Sequence, residues 1–174
     1  MAFEAFVTNL GEYNEGRLIG EWVNFPLEKH EFYEVLERIG IDINEHYGKY
    51  FFTDYDYCNC PNLEFGEYES YKSLNDIAEK LESLDEWDIE KLKAIVEAWG
   101  ARDIVIDFDL DNYNLYPDVH STYDLGRYWI EESGCYDLKS MGNLANYIDF
   151  ERFGRDIYYD TCGSFTSFGY IEKY

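Results

Sequence analysis

Closely spaced carboxylates are the side chains in this sequence that could do chemistry. Asp107, Asp109 and Asp111 stand at alternate positions of a segment that lacks Lys and Arg. Such groups could hold a cation, act as an acid and base pair, or present negative charge to a basic partner. The carboxylates that we select as working groups are Asp107, Asp109, Asp111, Asp124, Glu131, Glu132, Asp149, Glu151 and Asp156.

The Asp107-x-Asp109-x-Asp111 segment is similar to a calcium-binding loop, with Asp118 at the twelfth place. The similarity is poor, because the sixth place holds Asn112 where such loops need glycine, and the twelfth is Asp where they use Glu. The alternating apolar residues also favour a strand. We therefore predict no metal site here.

Other catalytic arrangements have little support. With 37 acidic residues, some carboxylate pair always falls at a plausible spacing for a glycosidase, so such a pair does not discriminate. Cys58-x-Cys60 is too tight for a zinc pair, and the histidines are scattered, so free thiols and no cofactor are expected. No glycine-rich phosphate loop or nucleophile elbow occurs. An acidic carboxylate hydrolase and an acidic adaptor or calcium-binding module remain the alternative functions.

The net charge is the strongest compositional signal. The 37 acidic residues against 14 Lys and Arg give a formal charge of -23, yet 20% of the residues are aromatic, which favours a folded chain over a disordered one. Phosphates would be repelled, so we expect no binding to nucleic acid or to an anionic membrane, and a basic partner instead. The charge equals that on roughly 11 to 12 base pairs of B-DNA.

Hydrophobic periodicity predicts an α+β fold. Strands are expected at residues 3–10, 18–25 and 50–57, with a turn at 11–16 and a helix that Pro26 opens and Gly40 ends. Phe32, Val35, Leu36 and Ile39 form the apolar stripe of this helix. The Cys58–Asn62 stretch interrupts the pattern, and we place a domain boundary there.

The middle of the chain is predicted to be helical and the last third mixed. Ser73 and then Asp85 or Asp88 are expected to cap two amphipathic helices. The last third should hold a strand at 104–110, a helix from Thr122 to Gly134, a helix at 144–155, and short strands at 157–159 and 165–171. The predicted domains are residues 1–60 (small antiparallel sheet and helix), 61–102 (helical) and 103–174 (mixed sheet and helices).

Two further expectations concern side chains. Trp22, Trp87, Trp99 and Trp129 each have periodic apolar neighbours, so core packing is favoured over stacking on a ligand. The arginines Arg127, Arg152 and Arg155 lie among acids and are expected to form structural ion pairs. The first residues lack a basic start followed by an apolar run, so we expect no signal peptide and a cytoplasmic location.

Three motifs resemble the ArdA antirestriction proteins. They keep the order of that family and cover both ends of the chain. The motifs are Asn9-Leu-Gly-Glu-Tyr-Asn-Glu-Gly16 with Gly20-x-Trp22, Tyr128-Trp-Ile-Glu-Glu-Ser-Gly134, and Tyr147-Ile-Asp-Phe-Glu-Arg-Phe-Gly-Arg-Asp156. The middle of the chain matches only in the Ser73-x-x-Asp76 helix start and in its helical character.

The resemblance implies a DNA mimic that inhibits Type I restriction–modification enzymes in a bacterial host and protects incoming mobile DNA. It implies an elongated chain of three small subdomains that forms a curved dimer through its C-terminal part. The antirestriction motif of the family falls on residues 124–134, where Asp124, Glu131 and Glu132 are the acids of interest. Leu125-Gly126 stands where relatives often have Val-Ala, and Ser133 where they often have Thr.

The dimer contact is predicted partly from that resemblance and partly from the apolar face of the strand at 104–110, which needs cover. Neighbouring aromatic and aliphatic residues add apolar surface beside this face. The predicted contact residues are Ile104, Ile106, Phe108, Leu110 and Tyr113.

Overall fold

A computed structural model of the chain describes residues 1–42, 49–58, 60–101 and 109–174. The predicted α+β class is confirmed, with two small antiparallel sheets flanked by helices. Contacts divide the chain into two compact units, Met1–Asp85 and Glu86–Tyr174. The finer division at residues 60 and 102 stays a prediction.

The first unit is built on a three-stranded antiparallel sheet in the order β2-β1-β3. Its strands are β1 (Phe3–Asn9), β2 (Gly20–Phe25) and β3 (Tyr50–Asp56), close to the three predicted strands. The predicted turn after β1 is instead a short helix, α1 (Leu10–Asn14). This helix forms because the Asn9 side chain accepts a hydrogen bond from the Glu12 amide at 3.1 Å and so caps its first turn.

Two helices fill the inner face of this sheet. Helix α2 (Lys29–Arg38) buries Phe32, Val35 and Leu36, as its predicted stripe required. It starts at Lys29 and not at Pro26, because Glu28 and Glu31 form the capping box. Helix α3 (Tyr71–Ser83) is capped by Ser70, whose hydroxyl oxygen accepts from the Ser73 amide at 3.0 Å; the predicted cap at Ser73 is wrong.

The second unit has its own antiparallel sheet in the order β4-β6-β5. The strands are β4 (Tyr113–Tyr116), β5 (Gly163–Thr166) and β6 (Gly169–Lys173). Helix α4 (Glu86–Trp99) contacts this sheet, and the Glu97 carboxylate accepts hydrogen bonds from the amide and hydroxyl of Ser167 at 2.8 and 2.6 Å. These bonds hold the β5–β6 turn against α4.

The remaining helices differ from prediction at their ends. Helix α5 (Thr122–Arg127) continues into a wider π-helical segment, Tyr128–Glu132, and is followed by α6 (Leu138–Met141) and α7 (Phe150–Asp160). The strand predicted at 157–159 is wrong, because these residues form the last turns of α7. The helix predicted at 144–155 starts later, because Asp149 caps it and accepts a hydrogen bond from the Arg152 amide at 3.0 Å.

Helices α5 and α7 meet backbone to backbone at two glycines. A Cβ atom on Gly126 would lie 2.8 Å from the Gly154 amide nitrogen and closer still to the carbonyl oxygen of Phe150. A Cβ atom on Gly154 would lie 2.6 Å from the Gly126 amide nitrogen and closer still to the carbonyl oxygen of Thr122. Only glycine fits on either side of this crossing without displacing backbone, which cannot yield as a side chain can.

The tryptophans are less buried than predicted. Trp22 and Trp87 are each 43% exposed and Trp99 is 40% exposed, so core packing is wrong for these three. Trp129 is half-buried and packs on the cluster formed by Val119, Leu125 and Tyr170. For Trp22 the reason is strand alternation: Val23 and Phe25 face the core, which leaves Trp22 on the outer face of β2.

We expect Gly154→Ala to destabilise the second unit. Alanine favours helix by about 1 kcal/mol over glycine, but here its methyl group would push α5 and α7 apart, and overpacking of this kind costs about 1–3 kcal/mol or more. Chemical denaturation should therefore show a net loss of unfolding free energy. Gly66→Ala is the matched control, because a Cβ atom there would make only an ordinary contact, at 3.5 Å from Glu69. Equal stability of Gly154→Ala and the wild type would contradict the described crossing.

A second prediction concerns a buried carboxylate of the second sheet. Glu172, 7% exposed, accepts a hydrogen bond from the Tyr116 hydroxyl at 2.7 Å. Burial, together with this bond, raises the pKa of Tyr116 well above its ordinary range. Because the folded pKa exceeds the unfolded value of about 10, the associated stability is complete below pH ~10 and is lost as the pH rises above it.

Tyr116→Phe should lower the free energy of unfolding at neutral pH by about 1–3 kcal/mol, because Glu172 stays buried without that donor. Above pH ~10 its stability should fall less steeply than that of the wild type. Denaturation of the wild type, Tyr116→Phe, Glu172→Gln and the double variant forms the cycle that isolates the pair. Additive effects of the two changes would refute a direct interaction.

Candidate functional site

The predicted carboxylates lie on three elements of the second unit. Asp109 and Asp111 are exposed at a short 3-10 turn, Leu110–Asn112. The Asp109 carboxylate accepts hydrogen bonds from the Asp111 amide and the Asn112 side-chain amide, each at 3.0 Å. Leu110 is therefore part of a turn and not of the predicted strand. Asp107 and the rest of that strand lie outside the described residues.

Asp124 has a structural role at the start of α5. Its carboxylate accepts a hydrogen bond from the Ser121 hydroxyl at 2.6 Å, and its amide donates back to the Ser121 oxygen at 3.1 Å. The predicted cap at Thr122 is therefore wrong, and Ser121 caps the helix. The Thr122 hydroxyl donates instead to the Glu151 carboxylate. Because Asp124 is half-buried and already bonded, part of its charge is screened from a partner.

Glu131 and Glu132 share one arginine. The Arg127 guanidinium lies 3.1 Å from a Glu131 oxygen and 3.4 Å from a Glu132 oxygen, so the predicted ion pairing of Arg127 is present. In the π-helical segment that carries both acids, the Ser133 amide donates to the carbonyl of Tyr128, five residues back, at 2.9 Å. The wider turn brings the residue five positions along toward the same side as Arg127, which explains why both acids reach it.

Helix α7 carries the remaining three predicted acids, all exposed. Asp149 caps the helix, Glu151 lies in its first turn, and Asp156 lies further along. The bond from Thr122 to Glu151 ties this first turn to the start of α5. Because α5 and α7 cross at their glycines, the acids of both helices are held on one pair of elements whose separation is fixed by backbone contact.

A polar groove borders this helix pair. It encloses about 440 Å³ between β4 and α5 and is lined by Asp118, Asp124, Arg127 and Glu132, among others. In the described part of the chain, no group of three or more His, Cys, Asp or Glu side chains is arranged to hold a metal ion. No described helix is both long and apolar enough to cross a membrane.

Two of the predicted dimer-contact residues are described. Leu110 and Tyr113 are each 8% exposed within their own chain, and the Tyr113 ring contacts Trp99 with centroids 5.7 Å apart. They therefore offer little surface to a second copy. Ile104, Ile106 and Phe108 lie outside the described residues.

Sequence reasoning missed two features that position the acids. Gly154 was taken as part of a matching motif, although a lone glycine inside a helical pattern can mark a close packing contact. Ion pairing of Arg127 was expected but its partner Glu131 was not named, although a spacing of four residues places both side chains on one helix face. The Gly126–Gly154 contact itself has no local signal, because it joins residues far apart in the chain.

Comparison with known proteins connects this geometry to a family. A search of curated proteins found no match. The family model described as antirestriction protein (ArdA) matches residues 5–172, nearly the whole chain, including all three motifs and both crossing glycines. The chain belongs to the ArdA family of antirestriction proteins.

Proposed function

We propose that this protein is a mimic of B-form DNA that occupies the DNA-binding groove of a Type I restriction–modification enzyme, without catalysis of its own. One observation carries the proposal: exposed carboxylates lie on α7 and on the π-helical segment that continues α5, and α5 and α7 are locked together by the Gly126–Gly154 crossing. A basic groove built for phosphates would attract carboxylates held at fixed positions in the same way. The protein would act in the cytoplasm of a bacterial host and protect incoming mobile DNA.

The amount of charge suits this role. B-DNA carries one negative charge per about 1.7 Å of its axis, so the formal charge of -23 corresponds to a short stretch of duplex of roughly 11 to 12 base pairs. A two-fold dimer would correspond to about twice that length. The charge that repels nucleic acid from this protein is thus the property that draws it to the enzyme.

The acids contribute unequally in this proposal. Asp109, Asp124 and Asp149 already accept hydrogen bonds from nearby backbone amides. Glu131 and Glu132 are exposed but lie close to Arg127. Exposed ion pairs are worth only about 0.2–1 kcal/mol each. Binding should therefore depend on the sum of many carboxylates and on no single one.

We expect Glu131→Gln alone to weaken inhibition of a Type I enzyme by less than about fivefold, which is the upper end for one exposed ion pair. A block variant that converts Asp107, Asp109 and Asp111 to Asn and Glu131 and Glu132 to Gln should weaken it at least about tenfold. Inhibition of DNA cleavage by the purified enzyme measures both. Thermal denaturation of each variant confirms that it is folded.

Arg127→Gln is the matched control for that block. It changes the ion-pair partner of Glu131 and Glu132 but makes the protein more negative, so it should inhibit at least as well as the wild type. Loss of inhibition by one carboxylate change in a folded variant would replace charge summation with a single essential contact. Loss of inhibition by Arg127→Gln would assign a direct role to the arginine.

We further propose a two-fold dimer joined through the C-terminal part of the chain. Leu110 and Tyr113 are buried in their own chain and offer little surface, so we propose the contact at Ile104, Ile106 and Phe108. In the sequence they alternate with Val105 and Asp107, so that one face of the segment is apolar and needs cover.

The double variant Ile106→Asp with Phe108→Asp should convert the dimer into a monomer, because two carboxylates would be buried opposite their own copies. Sedimentation velocity measures the change. Leu144→Asp serves as the control, because Leu144 is 72% exposed and its replacement should leave the dimer intact. A dimer that persists in the double variant would place the interface elsewhere.

A further inference from the structure

The outer face of the first sheet carries an open aromatic groove. It encloses about 540 Å³ on the side of the sheet opposite helices α2 and α3. We call it the aromatic groove. Its apolar lining includes Phe6, Tyr13, Leu18, Trp22, Phe51 and Tyr68.

Three of these apolar side chains have a large part of their surface exposed to solvent. Tyr68 is 75% exposed, Leu18 is 66% exposed and Trp22 is 43% exposed. The core of the unit lies on the other face, where Phe3, Phe25 and their neighbours are buried. A continuous apolar patch of this kind, outside the core, is typical of a binding surface.

The aromatic rings hold one another in place. Phe6 and Trp22 are cross-strand neighbours whose rings meet edge to face with centroids 5.4 Å apart. Phe51 stacks on Tyr68 at 6.0 Å and meets the edge of Tyr13 at 5.0 Å. The groove therefore offers preformed aromatic faces, and binding there would need little ordering of side chains.

Carboxylates stand inside and beside the groove. Asp54 and Glu67 line it, and Asp54 is the register partner of Phe6 on β3. The next row of the same face pairs Glu4 with Asp56. A second copy of the chain docked here would bring the acids of both copies into one interface without a basic partner among them, which disfavours self-association through this face.

We propose that the aromatic groove binds an arginine-bearing segment of a partner protein. A guanidinium group stacks on aromatic faces, with tryptophan the most favourable, and also forms hydrogen-bonded pairs with carboxylates. Trp22 with Asp54 and Tyr68 with Glu67 supply both kinds of contact in one groove. The surface lies in the first unit, so it is separate from the α5 and α7 acids and does not depend on the DNA-mimic proposal.

The test uses the full chain and two synthetic peptides. One alternates arginine with leucine, and the other alternates citrulline with leucine. Citrulline keeps the size of arginine but removes its charge. Isothermal titration at about 150 mM salt, where the screening length is about 8 Å, suppresses long-range attraction by the acidic chain. We expect the arginine peptide to bind at least about fivefold more tightly than the citrulline peptide.

Trp22→Ala should weaken binding of the arginine peptide about fivefold or more, within the range of one cation–π contact. Trp87→Ala is the matched control, since Trp87 has the same 43% exposure but lies on α4. Trp22→Phe retains a ring in the groove and guards against misfolding; it should bind with intermediate affinity. Equal losses for Trp22→Ala and Trp87→Ala would overturn the proposal.

The carboxylates are tested in the same way. The double variant Asp54→Asn with Glu67→Gln should weaken binding of the arginine peptide. Its control is Glu34→Gln with Glu37→Gln, which removes the same charge from two exposed positions of α2 and should weaken binding less. Equal effects of the two pairs, or equal binding of both peptides, would show that general charge or apolar contact alone is at work. Self-association that Trp22→Ala abolishes in sedimentation would assign the groove to a second copy instead. Each of these three results contradicts the proposal.

Discussion

The backbone contact between Gly126 and Gly154 is the constraint on which the candidate site depends. It lets α5 and α7 approach so closely that no side chain separates them, and it leaves their acidic residues at the exposed side. A highly charged surface repels itself, and a loosely packed helix pair would relieve that repulsion by moving apart. Backbone atoms in direct contact, with Leu125 fully buried beside them, resist this movement.

Several of the acids contribute to the fold as well as to the surface. Asp109 and Asp149 accept hydrogen bonds from amides at the starts of helical turns, and Asp124 accepts one from Ser121, the cap of α5. A negative charge in these positions is also favoured by the helix dipole. The chain thus offsets part of the cost of its charge by placing carboxylates where the backbone needs acceptors. Acids with no such role, such as Asp156, leave their charge for a partner.

Many of the strands and helices could be predicted from the sequence, because each buries residues that recur at the spacing of its own secondary structure. Alternating residues predicted β1, aromatic and threonine content predicted β3, and the stripe of Phe32, Val35 and Leu36 predicted α2. The strand predicted at 157–159 failed, because a short run of β-branched and aromatic residues is helical here through its packing on α5. At the site, the selection of these acids as working groups stays a prediction. Their caps, the sharing of Arg127 by two acids and the glycine crossing could not be predicted, because each depends on contacts or helix phase that no short pattern encodes.

The most direct test of the account is competition between this protein and duplex DNA for one purified Type I methyltransferase core across a salt series. The account predicts mutually exclusive binding, because both ligands occupy one groove. It also predicts that both affinities fall as salt rises, with a shallower slope for the protein, because its carboxylates on a partly apolar surface hold fewer condensed counterions than DNA phosphates. A ternary complex of enzyme, DNA and this protein would contradict occupation of the groove, and a salt-independent affinity would contradict its electrostatic basis.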